Sequence, residues 1–415
     1  MWQTPQPANN ALPNAVRSEL APTPTLDFFL LGGGALAAQL LIGLQEPRCS
    51  SSGTAANLPN TRVVGLMTWP DPKVPNLKHP EAHEAFLAQL HRGTDTLPKL
   101  ETCSVNSAAF IARLKALDPD VMLIAAWRET LSAQTLAQLS ASGIRVVNCH
   151  PSYLPLLRGP SPYIAAIWRG FKHTGVSFHG VTPELDAGPV IVQEPVPVLL
   201  TDTGGTLQTR CAQTAKALLP GLIAKLTDPD FTPAPQAIAD LQTHPFCAEA
   251  LGCPKTQKAQ DSPEAIGGWA AHLTPIDLQL NIQQTPAEVL YNQIRAIHPW
   301  GMCQASLADK HQEPQNRLLG LISANPPLAL TSQLTQILTS SKIPLEPGYC
   351  VELPESAGIN APLAVVCTGI NGTRCLLPIT QFKLERQNTR LFSSLLGPWW
   401  PVNARRSAII GKRLI

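Results

Sequence analysis

The chain has 415 residues, 44% of them hydrophobic and only 14% charged, which suits a packed, soluble protein of two or three domains. A formal net charge of +2 gives no sign that the chain as a whole binds nucleic acid. The charge is uneven, however: from Lys342 to Ile415 nine Lys/Arg stand against four Asp/Glu, which is either a hint of a polyanionic partner or an ordinary basic tail.

Forty-one prolines imply long loops and extended connectors. Ten scattered cysteines show neither a disulfide framework nor zinc spacing, so a reducing, cytoplasmic setting with free thiols and no metal is expected. Residues 1–24 are rich in Pro and Asn and have no apolar core, and they read as a disordered leader. Leu26–Leu44 is apolar, but Asp27, Gln39 and three consecutive glycines argue against a membrane span. It parses instead as a strand (Leu26–Leu31), a glycine turn and a helix. Gly32-x-Gly34-x-x-Ala37 approximates a dinucleotide fingerprint, but no acid closes the next strand. Close packing at the turn, or a modest role at an anionic group, accounts for these glycines.

Further strands are expected at Arg62–Trp69, Asp120–Trp127 and Ile144–His150, with helices between them. The first of these helices shows apolar residues at Phe110, Ile111, Leu114 and Leu117. Strands alternating with helices predict an α/β fold with a Rossmann-like, doubly wound parallel sheet. In such sheets ligands sit beyond the carboxyl ends of the strands. TGVSFHGV and PVIVQEPVPV read as two more strands, and a long helix with Asp202 or Thr203 near its cap closes the unit. Residues 228–265 are Pro-rich and read as a linker. TPAEVLYNQIRAIHPW reads as a capped helix, and short β runs from about residue 343 (GYCVEL, LAVVCTG, TRCLLPI) suggest a small antiparallel barrel or sheet.

The stretch NCHPSYLPLLRGPSPY (Asn148–Tyr163) has four prolines and must be a shaped loop at a strand end. Asn148 and His150, two positions apart, share a face if the strand continues. With Ser152, Arg158, His179 and Asp186 they form a compact polar set. An amide that donates to an oxyanion, an imidazole that moves a proton and a carboxylate that sets its state suit acyl transfer by direct attack. Ser152 is a rival nucleophile, but no G-x-S-x-G elbow surrounds it. Spacing alone leaves open that Asn148 and His150 merely serve the loop backbone.

This run, followed by TGVSFHGVTPELDAGPVIVQ, strongly resembles the folate-dependent formyltransferase family. The family pattern is N-x-H-P-S-L-L-P, then R-G, T-G-V-x-x-H and D-x-G, and Tyr153 stands where Leu is usual. The resemblance implies formyl transfer from 10-formyltetrahydrofolate to an amine, with Asn148, His150 and Asp186 as the catalytic trio. It implies a pterin held, largely by backbone groups, between Trp127, Arg128, Glu129, Thr130 and Leu131 on one side and Thr182, Pro183, Glu184 and Leu185 on the other. Ser152, Arg158, Gly159 and His179 are expected near the substrate.

Residues 25–227 are then the catalytic domain, 266–390 a C-terminal OB-like β-barrel domain and 391–415 a basic tail. IRAIHPW and the late β runs are similar to the second domain of the family branch that formylates methionyl initiator tRNA. Initiator tRNA is accordingly the expected acceptor. A small amine such as an amino sugar or a nucleotide-linked metabolite is the alternative, and hydrolysis of formyltetrahydrofolate is a third reading.

Overall fold

A computed structural model describes residues 25–46, 58–68, 97–100, 103–236, 269–308, 314–339, 343–353, 361, 363–384 and 412–414. The expected leader, most of the linker and most of the basic tail lie outside these residues.

The first sheet has the order β2-β1-β3-β4-β5-β6. Its strands are β1 (Thr25–Gly32), β2 (Asn60–Met67), β3 (Val121–Ala125), β4 (Arg145–His150), β5 (His173–Gly180) and β6 (Val190–Pro197). The first four are parallel, as strand–helix alternation requires. The last two are antiparallel, so the all-parallel expectation fails at this edge. The TGVSFHGV strand runs back beside β4, and PELDAGP is a return turn between antiparallel strands.

Both faces of the sheet are covered, which explains strands with no polar alternation. Phe28 and Leu30 of β1 join one buried cluster with α1 (Gly34–Gln45) and α5 (Gly204–Thr227). Phe29 and Leu31 join the opposite cluster with α2 (Ala108–Leu117) and α3 (Ala133–Ser140). Local signals start these helices. Ser107 accepts the N–H of Phe110 and Ser132 that of Thr135, while Thr203 and Thr206 form a reciprocal capping box on α5. The glycine turn is a packing device: at Gly32 (φ +157) a Cβ would lie 2.0 Å from the carbonyl oxygen of Ala125. Leu26–Leu44 is thus strand, turn and helix, and among the described residues no helix is long and apolar enough to cross a membrane.

The second sheet is antiparallel with the linear order β10-β11-β12-β8-β7, and β9 pairs with β12. These strands are β7 (Cys303–Ala308), β8 (Pro314–Ala324), β9 (Leu328–Ala329), β10 (Cys350–Val351), β11 (Leu363–Thr368) and β12 (Arg374–Leu384). The helix α6 (Ala287–Ile297) lays Leu290, Tyr291, Ile294 and Ile297 on one face of it, and α7 (Ser332–Thr339) adds Leu338 to a second cluster. Residues 412–414, expected to be part of a tail, pair into this sheet. Leu414 is fully buried. Cys350 donates its N–H to Lys412, Leu414 to Gly348, and Ala308 to Arg413.

The two units dock through the IRAIHPW run. The buried Arg295 of α6 donates to the carbonyls of Leu199 (2.9 Å) and Asp202 (2.7 Å). Tyr291 donates to Leu200 O at 2.8 Å, Gly205 donates to His298 O at 3.0 Å, and the Trp300 and Tyr163 rings lie 5.5 Å apart. Tyr163 is on α4 (Pro162–Trp168), the helix that follows the proline loop.

Candidate active site

Asn148 and His150 project from the end of β4. His179 is the register partner of Asn148 on β5, so antiparallel pairing sets the two side by side. Asp186 arrives from the β5–β6 turn with a left-handed backbone (φ 54). That turn closes tightly: Gly180 donates to Pro189 O at 2.9 Å, and a Cβ at Gly188 would lie 1.8 Å from Gly180 O. Asp186, His150 and His179 are all buried.

The hydrogen bonds fix the orientation of each group. His179 donates through Nδ1 to Gly180 O at 2.8 Å, and its Nε2 lies 3.0 Å from the Asn148 amide nitrogen and 3.6 Å from Asp186 Oδ1. The same amide nitrogen donates to Asp186 Oδ1 at 3.2 Å. Flipping the amide would set its oxygen against a carboxylate, so this orientation holds. His150 donates through Nε2 to Leu157 O at 2.9 Å, and its Nδ1 faces Asp186 Oδ2 at 3.5 Å. Asp186 Oδ2 also accepts the Gly159 N–H at 2.9 Å.

Burial acts to raise the Asp186 carboxyl, but His150, His179 and the Gly159 N–H outweigh it and hold the group at about 2. Burial pushes the His150 imidazole below its usual range, against the pull of Asp186. At neutral pH the site therefore presents an ionised carboxylate beside an uncharged imidazole able to take up a proton.

The other expected residues divide. Ser152 is fully buried, and its hydroxyl donates to Leu156 O at 2.6 Å while its carbonyl accepts from Ser177. It fastens the proline loop, and its hydroxyl is already committed to a backbone carbonyl. Arg158 is held by Gln236 at 2.9 and 2.7 Å, with Glu184 3.7 Å away. Gly159 sits under Trp269, whose ring would lie 3.0 Å from a Cβ there. The neighbouring Ala270 exchanges backbone hydrogen bonds with Arg158 and Ser161.

On the side where the resemblance sets a pterin, Leu131 belongs to the core, so only its backbone is available. Glu129 accepts from Ser104, Val105 and Asn106. Burial opposes ionisation, but these bonds prevail and keep its carboxyl below the usual range. Glu129 thus shapes the loop. Trp127 packs on the same cluster as Val181, and its buried Nε1 has no partner. Arg128 and Thr130 continue the loop, with Asn106 donating to Thr130 O at 2.9 Å. Opposite, Thr182 closes the turn onto Glu184 O, and Pro183, Glu184 and Leu185 are exposed. A stranded indole donor and an exposed apolar rim suit a flat heterocycle that carries both polar and apolar edges. Sequence reasoning missed Gln236, which lies in the stretch read as linker, and Trp269 and Ala270, which stand at the start of the second unit with no motif around them.

Comparison with known proteins accords with this geometry. Residues 49–223 match the family model described as Formyl transferase. The methionyl-tRNA formyltransferase of Geobacillus thermodenitrificans (strain NG80-2) is 30% identical over 240 residues, 58% of this chain and 65% of that protein. That of Roseiflexus castenholzii (strain DSM 13941 / HLO8) is 39% identical over 177 residues, 42% of this chain and 54% of that protein. The chain thus spans somewhat less than two thirds of the curated relatives it matches. Among solved structures, HypX from Aquifex aeolicus in complex with tetrahydrofolic acid covers 85% of this chain and 44% of its own at 13% identity, with a TM-score of 0.46. A superposition that loose decides nothing about chemistry.

Proposed function

Over residues 49–223 this chain is a member of the formyl transferase family, and from that premise we propose that it moves a formyl group from 10-formyltetrahydrofolate to the amino group of methionyl initiator tRNA. The observation that carries the reading is the buried cluster in which Asn148 and His150 converge on the ionised Asp186.

The donor supplies a formyl carbon on a nitrogen that can leave. As the amine nitrogen bonds to that carbon, Asn148 transfers an N–H from its present partners to the formyl oxygen, which gains charge. His150, whose Nε2 rests on Leu157 O and whose Nδ1 faces Asp186, reaches the same oxygen by releasing the Leu157 carbonyl. When the carbonyl re-forms and the bond to the folate nitrogen breaks, the proton lost by the amine passes through the His150–Asp186 pair to that nitrogen. Asp186, already charged, favours the imidazolium that forms on the way. Trp127, Arg128, Glu129, Thr130 and Leu131 on one loop, with Thr182, Pro183, Glu184 and Leu185 on the other, hold the pterin mainly through backbone groups.

The acceptor assignment is supported by the names of the relatives and by the second unit, which continues past the matched region. We read that unit as a small OB-like barrel, because segment 412–414 bonds to both of its outer strands. Such a surface can follow an RNA backbone without reading its sequence.

The test is formylation of charged initiator tRNA with 10-formyltetrahydrofolate. Turnover that disappears in Asn148→Ala establishes the activity. Formate release without an acceptor would show a hydrolase, and turnover with amino sugars but not tRNA would show a small-amine enzyme.

A further inference from the structure

The proline loop and the Asp186 turn are joined by a residue that belongs to neither. Gln236 lies on the segment leaving the first domain, which a backbone pair between Ala234 and Val190 (2.7 and 3.0 Å) fastens to β6. Its Oε1 accepts from Arg158 Nε at 2.9 Å and Nη2 at 2.7 Å. Its Nε2 donates to Asp186 O at 2.8 Å and Gly188 O at 2.7 Å. Both N–H groups and both oxygen lone pairs are therefore in use. The orientation is unambiguous, since a flipped amide would set its oxygen on two carbonyls and its NH2 on a guanidinium.

The points it grips determine the site. Asp186 has a left-handed backbone (φ 54), which a residue with a Cβ keeps only when its surroundings enforce it. Gln236 holds the carbonyl of that residue and the one two positions on. Its other partner, Arg158, precedes Gly159, whose N–H donates to the Asp186 carboxylate at 2.9 Å. One side chain thus fixes the backbone that carries the carboxylate and the loop that supplies its donor.

We propose that Gln236 is a positioning residue of the active site, setting the Asp186 carboxylate against His150 and Asn148 by clamping the Asp186 turn to the proline loop. Its kinetic consequence rests on the formyl-transfer reading, whereas the clamp itself does not.

Two variants of the full chain test it. Gln236→Met keeps the length and removes all four bonds. Gln236→Glu keeps an oxygen for Arg158 and removes both N–H donors. With 10-formyltetrahydrofolate and methionyl initiator tRNA, both should lose about 10- to 100-fold in kcat, with the donor KM changed less than about 3-fold, because a misplaced carboxylate weakens the reacting geometry more than binding.

Carbon-13 titration of the Asp186 carboxyl in ligand-free protein, assigned through Asp186→Asn, reads the clamp without turnover. The charged or titratable groups that face Asp186 are His150 from β4 at 3.5 Å and His179 from β5 at 3.6 Å, while Arg158 of the loop is held on Gln236, with exposed Glu184 3.7 Å from it. In both variants its midpoint should rise from about 2 toward the ordinary value of about 3.9 as its donors drift. Side-chain filling alone would not move it. An unchanged midpoint in Gln236→Met overturns the proposal, and so does a Gln236→Glu enzyme with unchanged kcat and midpoint. If Gln236→Met does not fold, Gln236→Glu decides. A wild-type protein without turnover would count against formyl transfer, and the titration would still decide the clamp.

Discussion

Asn148, His150 and Asp186 carry the sharpest expectations. On the proposed reaction, replacing Asn148 by Ala removes the N–H donor assigned to the developing charge and should cost about 10²- to 10³-fold in kcat, measured by tRNA formylation. Ser152→Ala separates direct attack from a covalent route. It should keep kcat within a few-fold while costing about 1–2 kcal/mol of stability, since only a loop hydrogen bond is lost. Asp186 links the site to acid stability. Its carboxyl is depressed to about 2, so its contribution is fully present above the unfolded value of about 3.9 and is lost as pH falls through about 2. Asp186→Asn should therefore flatten the stability profile between these values, as read from urea midpoints. The spacing of Asn148 and His150 and the polar set that includes Asp186 were visible in the sequence, and the family resemblance singled out the three together. The place of His179 beside Asn148 was not visible, because it depends on β5 running antiparallel. Gln236 was hidden for a different reason: fifty positions separate it from Asp186, and no local pattern marks a glutamine that meets its partners only after folding.

At the level of elements, the signals that could be read were local ones. Ser107, Ser132 and Thr203 sit where caps belong, and the helices they start lie close to their expected positions. Thr203→Ala should cost about 1 kcal/mol by breaking the capping box of α5, measured by thermal unfolding. The β5–β6 turn is more demanding. A Cβ at Gly188 would lie 1.8 Å from the Gly180 carbonyl oxygen, so Gly188→Ala should destabilise by about 1–3 kcal/mol and lower kcat, because the displaced turn carries Asp186. Strand β9 has two residues, too few for any periodicity, and exists only through its neighbour, whereas β10, equally short, falls inside the expected β run GYCVEL. CQASLA and PQNRLLGLISA lack clear turn punctuation between them, and so β7 and β8 escaped notice.

Across the whole molecule, the domain connection is built into the site. Both ends of the stretch between the two units reach the proline loop, through Gln236 on the way out and Trp269 and Ala270 on the way back. IRAIHPW, which in the sequence only marked a resemblance, proves to be a docking device. Arg295→Met leaves the carbonyl of Asp202 without its donor, at about 1–3 kcal/mol, and leaves that of Leu199 with the Asp202 N–H alone. Calorimetry should then show the single unfolding transition separating into two. A chain cut between the units would strip Trp269 and Ala270 from Gly159 and damage catalysis for any amine, so the acceptor is best sought with both units present.

The pairing of residues 412–414 imposes an order in time. The first sheet has all its strands once β6 is complete, and its last clamp once Gln236 has emerged from the ribosome. The second sheet must wait for Leu414, because the backbone that bonds to both β7 and β10 is made after every strand it serves. Until then a nascent chain carries a sheet with two bare edges, the state most open to pairing with another chain. The time taken to make the chain from β12 to Leu414 thus sets how long that hazard lasts.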